Sequence, residues 1–525
     1  MPDVTDSERS PLVDALLEMI AWQQKQIEEL EQQILKLKGE TTKPKIKPST
    51  MDKETDIDDN KDNKDENEDK GKKKGPKRRK TEQLPIHETE IVEPDVVPEG
   101  STFKGYRDVI VQDLVIQVHN TCYRLAQYET AEGRYVVGKL PVGIRDSHWG
   151  KEFQSFILYQ YHHQHVTQPL LLEYLRDLGV DISSGELSNL LTSKLVRFHD
   201  EKAEILSVGM AVSQVLHTDD TGARHAGKNG YCTHIGNELF AWFSSTESKS
   251  RINFLECLSQ GVERRYVLNE GALEYLARQK LPKPLQAALN NQNVDIDNQE
   301  EWDQWLTAQG IKRARHRKIV TEGALMGGLL AQGIPSDLVI MSDDAGQFNV
   351  FDHVLCWIHA ERVINRLIPL NEGHKKAVNW VREQIWQLYA DIKCYKIHPQ
   401  PAQAEEIRAR FEELCRTKTC YATLNQALKR LGDNQHELLR VLDKPWIPLH
   451  NNLSERDIRD YVKKRKISGS TRSEAGRQSR DTFASLKKTC RKHSISFWHY
   501  LRDRISGAAQ IPRLAELIRQ AATCG

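Results

Sequence analysis

Two apolar runs in this 525-residue chain end in paired aspartates: Val212–Gly222, VSQVLHTDDTG, and Leu338–Asp344, LVIMSDD. β-branched residues predict a strand in each, and carboxylates at strand ends can hold a divalent cation. Two such endings are more informative than one, because hard oxygen ligands converge on metal sites. A solvated strand-to-loop turn is the competing reading of either pair. A third carboxylate, Glu455, lies in LHNNLSERDIRDYVKKRKISGSTRSEAGRQSR. Asn452 is expected to cap a helix there, with Glu455 at its third position and Ile458, Tyr461 and Val462 on the inner face. Glu455 is then either a capping-box residue closing onto Asn452 or the third member of a set with Asp219 and Asp343. Neighbouring strand residues face opposite sides, so only one of Asp219/Asp220 and one of Asp343/Asp344 should reach a shared site. No Ser, Tyr or Cys sits in an evident nucleophile setting.

The elements around these residues follow from turn chemistry. Gly227-Lys228-Asn229-Gly230 leads into YCTHI, and Gly236-Asn237 leads into ELFAWFSS. Both are hairpin signals, so Val212–Thr218 should open an antiparallel three-strand meander. A meander whose first strand carries an acidic residue resembles the start of a ribonuclease H-like fold. Ile252–Leu258 would then be the following helix, Leu338–Ser342 strand four and Val354–Trp357 strand five. Helical inserts are expected over about 263–333 and 370–446, the second ended by Pro445 and Pro448.

The fold class expected for the whole chain is multidomain α+β. Leu16, Ile20, Gln23, Ile27, Leu30, Ile34 and Leu37 form an a/d seam, giving a coiled coil over 1–40 and self-association through it. Residues 41–82 read as a disordered charged linker, with too little apolar surface to offset ordering entropy. Its basic end, KGKKKGPKRRK, is either a phosphate-contacting block or a solvated tail. A small β-rich module is expected over 83–142. Residues 143–205 read as helix, Gly-containing turn, helix, with Ser183 or Ser184 as the cap before Glu186, a spacing that suits a DNA-binding helix-turn-helix. The catalytic domain is expected over 206–480, and a helical tail over 481–525.

Composition narrows the class. Lys+Arg number 75 and Asp+Glu 74, so the net charge of +1 says little about partners. Nine cysteines form no CxxC pair, which argues against a zinc finger or disulfide framework and fits a reducing, cytoplasmic setting. No run of about 18 apolar residues predicts a membrane span, and no secretory signal is visible.

Taken together, LHTDDTGAR, LVIMSDDAGQF followed by HVLCWIHAERVI, and NNLSERDIRDYVKKRKISGS resemble the DDE transposases, and within them the insertion-sequence-66 family. Asp220 stands where the family has glutamate, and the family's paired cysteines are missing, so no zinc is expected. The resemblance implies Asp219, Asp343 and Glu455 as catalytic metal ligands, the first aspartate of each pair being preferred by motif position. It implies two Mg²⁺ or Mn²⁺ ions roughly 3.5–4 Å apart, in-line strand cleavage at the element's ends and transfer into target DNA. Asn451, Asn452, Arg456, Lys463, Arg465 and Lys466, with Lys464 beside them, are candidate DNA contacts; a solvated helix face competes. His359 is a candidate auxiliary, or a structural residue at a helix start. Expected partners are terminal-repeat and target DNA, a second copy of the chain, and accessory proteins of the element. The alternatives are a non-catalytic DNA-binding derivative and a structure-selective nuclease on the same fold.

Overall fold

The computed structural model describes Met19 and residues 85–140, 148–259, 264–290 and 292–524. The coiled-coil seam, the charged linker and its basic block lie outside the described residues, apart from Met19. Residues 85–119, the described part of a unit spanning 22–119, form no helix or paired strand, only a turn at Pro98–Ser101. In the other unit, β1 (Gln127–Glu129) pairs antiparallel with β2 (Tyr135–Val137). Among the described residues of the β-rich module expected over 83–142, that hairpin is what forms, and every residue from 85 to 139 is exposed. Val109, Val111, Leu114 and Val115 lie open to solvent. β-branched residues favour extended backbone, but a sheet needs a neighbouring strand and a face to bury.

Four helices follow: α1 (Lys151–His162), α2 (Gln168–Asp177), α3 (Ser184–Thr192) and α4 (Val196–Val212). Ser183, not Ser184, caps α3, its hydroxyl accepting from Glu186 N at 3.1 Å. A five-stranded sheet comes next, built from β3 (Val215–Gly222), β4 (Tyr231–Gly236) and β5 (Ala241–Thr246). Asn237 makes the β4–β5 turn by accepting from the backbone N–H of Leu239 and Phe240. After α5 (Arg251–Leu258), residues 264–333 form β6 (Tyr266–Val267), α6 (Glu270–Arg278), α7 (Lys283–Asn290), β7 (Asp295–Ile296), α8 (Gln299–Ala308) and α9 (Ala314–Ala331). The sheet resumes with β8 (Val339–Ser342) and β9 (Asp352–Leu355), in the order β5-β4-β3-β8-β9. β3, β4 and β5 are antiparallel, whereas β8 and β9 run parallel to β3.

Strand five lies two residues earlier than expected, at Asp352–Leu355, because Trp357 already starts α10 (Trp357–Asn365). The second insert is α11 (Glu372–Ile397), α12 (Pro401–Arg416), α13 (Ala422–Asp433) and the one-turn α14 (Gln435–Leu438). Its apolar faces make a core of their own around Val381, Ile385, Phe411 and Leu424. The chain ends with α15 (Asn452–Ser468), α16 (Glu474–Lys492), α17 (Phe497–Ser506) and α18 (Leu514–Cys524).

Helices α1 to α4 and α16 to α18 share one core with the sheet. Leu187, Phe198, Leu216, Phe240, Phe483, Tyr500 and Ile518 belong to one continuous core. Gly209 of α4 shows how tightly it closes, since a Cβ there would meet the Phe240 ring at 2.5 Å. No helix among the described residues is long and apolar enough to cross a membrane.

Candidate active site

The parallel register sets the two aspartate pairs level. Val215, Leu216 and His217 of β3 lie opposite Val339, Ile340 and Met341 of β8. Asp219 and Asp343 each stand two residues beyond the last of these pairs, so they lie at the same height, Asp219 still paired with His234 within β3 and Asp343 just past the end of β8. Asp220 and Asp344 are each claimed by a cation. Lys249 pairs with Asp220, which also accepts from Gln347 Nε2 at 2.6 Å. Arg430 of α13 grips Asp344 through Nε at 2.6 Å and Nη2 at 2.5 Å. No Lys, Arg or His among the described residues lies within ion-pair distance of Asp219 or Asp343. Burial, and then the charges of Asp343, Asp220 and Glu455, push the Asp219 carboxyl up to about 7 against a backbone hydrogen bond from Asp220. That is the behaviour of a carboxylate crowded by its own kind in a partly dry place.

Glu455 is brought to this edge by the start of α15. Asn451 is fully buried, its Nδ2 donating to Thr218 O at 2.7 Å and its Oδ1 lying 2.9 Å from His217 Nδ1. Ser454 Oγ lies 2.6 Å from Nδ1 of His234, the β4 residue paired with Asp219. These two contacts pin the first turn across β3 and β4, leaving Glu455 at the sheet's end. Its Oε1 stands 3.2 Å from His359 Nε2 and 3.3 Å from Arg362 Nη1, both on α10. The expected capping box is absent. Asn452 is the first helical residue, Asn451 holds the cap position without a side-chain cap bond, and Glu455 is therefore the fourth helical residue, one past the position that closes a capping box.

The candidate DNA contacts divide. Arg456, Lys463 and Lys466 are exposed and Asn452 is half-buried. Asn451 is not available to DNA, because its amide is spent inside on β3. Arg465 reaches back to Thr221 Oγ1 at 2.9 Å and to Gly222 O, fixing the end of β3. Lys464 is buried, its Nζ donating to Tyr161 O at 2.7 Å. Burial pushes the Cys356 thiol, behind the site, up to about 11, which leaves no thiolate nucleophile there.

Beside Asp343 opens a cleft of about 230 Å³ between α10 and α13. His359, Arg362, Arg366 and Arg430 line it over an apolar floor that includes Leu431. The oxygen donors suit a hard divalent cation, and like charges that raise one another's pKa are what such an ion relieves. As the side chains stand, no three His, Cys, Asp or Glu residues among the described ones converge to metal-ligand geometry. Glu455 is drawn aside by His359 and Arg362, and closure on a cation would have to release it.

The comparisons bear on this geometry. The family model described as "Transposase IS66 family" matches residues 311–479. The chain is also 40% identical over 318 residues to the uncharacterized protein y4jO of Sinorhizobium fredii (strain NBRC 101917 / NGR234). That match covers 60% of this chain and 99% of the relative. The chain belongs to the IS66 transposase family.

Within this IS66-family chain the matched stretch carries Asp343, His359, Arg362, Arg430 and Glu455, whereas Asp219 precedes it. The β3–β8 register and the contacts of Asn451 and Ser454 with β3 and β4 tie Asp219 to the rest. Lys249, Gln347 and Arg430 were not legible as site residues, because their roles come from cross-element pairing and no local pattern marks them.

Proposed function

We propose that this chain is a transposase that cleaves DNA strands at the ends of its element and joins them to target DNA, with Asp219, Asp343 and Glu455 as the reacting site. The observation that carries the reading is the level pair of strand-end carboxylates, Asp219 and Asp343, free of cationic partners beside Glu455, in a chain of the IS66 transposase family. A meander followed by two strands parallel to the first supports a ribonuclease H-like core. Asp219, Asp343 and Glu455 would hold Mg²⁺ or Mn²⁺, which when bound lowers the pKa of water and offsets charge on a leaving oxygen.

The chain's own groups have definable tasks. Asp219 and Asp343 present oxygens from a rigid sheet edge, which keeps their separation fixed through the reaction. Arg362 and His359 hold Glu455 until it is needed. Arg366 and the exposed Arg456, Lys463 and Lys466 offer positive charge to the phosphates flanking the cut. α2 and α3 would meet DNA outside the reacting bond, and the seam at Leu16–Leu37 would pair two copies.

The test uses the full chain, Mg²⁺ and a labelled duplex carrying the element's terminal sequence. A product with a free 3′-hydroxyl, followed by joining to a second duplex, is the expected result. Cleavage without joining would favour a nuclease, and neither would mean that the chain binds DNA without acting on it.

A further inference from the structure

A second cationic site lies on the other side of α15. Glu455 and Lys464 are nine residues apart, about two and a half helical turns, so they occupy opposite faces. On the Lys464 face, α1, α15 and α16 enclose a cleft lined by His162, His165, Asp460, Lys464, Arg480, Lys487 and Lys488. All four cationic side chains are more than nine-tenths buried. Asp460 answers them with negative charge from within the lining, 3.1 Å from Lys488 and 3.9 Å from Lys487; Asp457, outside it, lies 3.7 Å from Lys488, and Lys487 Nζ donates to His162 O at 3.3 Å. Lys464 and Arg480 have no carboxylate within ion-pair distance among the described residues. Lys464 donates to Tyr161 O and sits 3.6 Å from the Tyr161 ring centroid, while Arg480 donates to Gly469 O at 3.1 Å. His165 Nδ1, also in the lining, is buried with no hydrogen-bond partner among the described residues. Buried cations in excess of their counter-charges are costly unless an anion completes them. At the rim, exposed Lys463 and Arg491 extend the positive field past Asp460, at 3.8 and 3.6 Å.

We infer that this cleft binds a phosphate group, and that the rim cations suit it to a backbone phosphate of duplex DNA held away from the reacting carboxylates. Lys and Arg donors with an unpartnered imidazole match the acceptor oxygens of phosphate. The DNA carrier rests on the function proposed above; the phosphate chemistry does not.

The experiment compares the full wild-type chain with Lys464→Gln, Lys487→Gln and the charge-keeping Lys464→Arg. Binding of a 20-base-pair duplex is followed over a salt series, and thermal melting is followed in sodium phosphate against sodium chloride at equal ionic strength. A backbone-phosphate site predicts that each Gln variant weakens duplex binding about tenfold and lowers the salt slope by about one, with Lys464→Arg restoring both. If phosphate raises the wild-type melting temperature more than chloride does, while duplex binding is unchanged in the variants, the site takes free phosphate and the DNA carrier is wrong. No phosphate-specific shift together with unchanged duplex binding overturns the site. Should a Gln variant not fold, the wild-type melting comparison alone decides whether phosphate is bound, and the exposed rim variant Arg491→Gln decides the duplex arm, weaker binding with a shallower salt slope being expected and unchanged binding overturning the DNA carrier. Asp343→Asn, outside this cleft, should abolish cleavage but leave both binding readouts intact, so a failure here is separate from a failure of the catalytic reading.

Discussion

His359 Nε2 and Glu455 Oε1 stand 3.2 Å apart, with Arg362 Nη1 within 3.3 Å of both. Two elements far apart in sequence, α10 and α15, thereby meet at the end of the sheet where Asp219 and Asp343 emerge. The guanidinium holds the carboxylate at an edge open enough for solvent to screen the pair, so its contribution to stability should be under about 1 kcal/mol. Arg362→Ala should therefore leave melting nearly unchanged while lowering the cleavage rate about 10–100-fold through a misplaced Glu455. Equal losses in melting temperature and rate would show that Arg362 serves the fold instead.

Asn451 ties α15 to β3 from a fully buried position. Asn451→Ala strands Thr218 O and should cost about 1–3 kcal/mol in denaturant unfolding. The same variant should retain duplex binding, since the amide faces the core. A selective loss of DNA affinity in a fully stable variant would restore Asn451 as a DNA contact.

Asp457, on the inner face of α15, is buried against Lys492 at 2.9 Å, His234 at 3.3 Å and Lys488 at 3.7 Å. Burial alone would raise its pKa, but His234 and Lys492 hold it well below the usual carboxylate range. A depressed folded-state pKa gives stability that is full above the unfolded value of about 3.9 and lost as pH falls below it. Asp457→Asn should cost about 3–5 kcal/mol at neutral pH, because it leaves buried cations unpaired. It should also flatten the acid limb of the stability curve, as measured by urea unfolding between pH 6 and 3. An unaltered acid limb would contradict the assignment.

Lys464 carries the opposite linkage. Burial, then the charges of Arg480 and Lys487, press its pKa down to about 7, and burial presses Lys487 to about 8. His162, His165, Tyr161 and Asp460 complete its surroundings. The unfolded chain keeps this proton up to about pH 10.4, so the folded state is penalised at neutral pH and relieved as pH rises. Wild type should gain stability relative to Lys464→Met between about pH 7 and 10. A constant difference across that window would mean that Lys464 is not desolvated.

Much of this was legible in the sequence because it is local. Asn-Gly and Gly-Asn turns announced the meander, and β-branched runs ending in Asp-Asp announced β3 and β8. The helix near Asn452 is legible too, although its cap position falls on Asn451, one residue before the Asn452 cap that the sequence suggests, and the Asn451 amide turns inward to β3. The preference for Asp219 and Asp343 rested on motif position, whereas the structure separates them from Asp220 and Asp344 by partners, Lys249 and Arg430, that no spacing rule relates to them. Residues 85–139 misled for the reverse reason. Their β-branched composition records a backbone preference, while a sheet depends on partner strands that composition does not supply.

The most direct test sets Asp343→Asn beside Asp344→Asn in a single-turnover cleavage assay with Mg²⁺ and terminal-sequence duplex. Loss of Asp343 should reduce the rate by about 10³-fold or more, since it removes an oxygen ligand from the reacting site. Asp344, already neutralised by Arg430, should be replaceable within about threefold, as expected for a partly exposed ion pair. Cleavage that survives Asp343→Asn, or that fails equally in both variants, would contradict the assignment of the site.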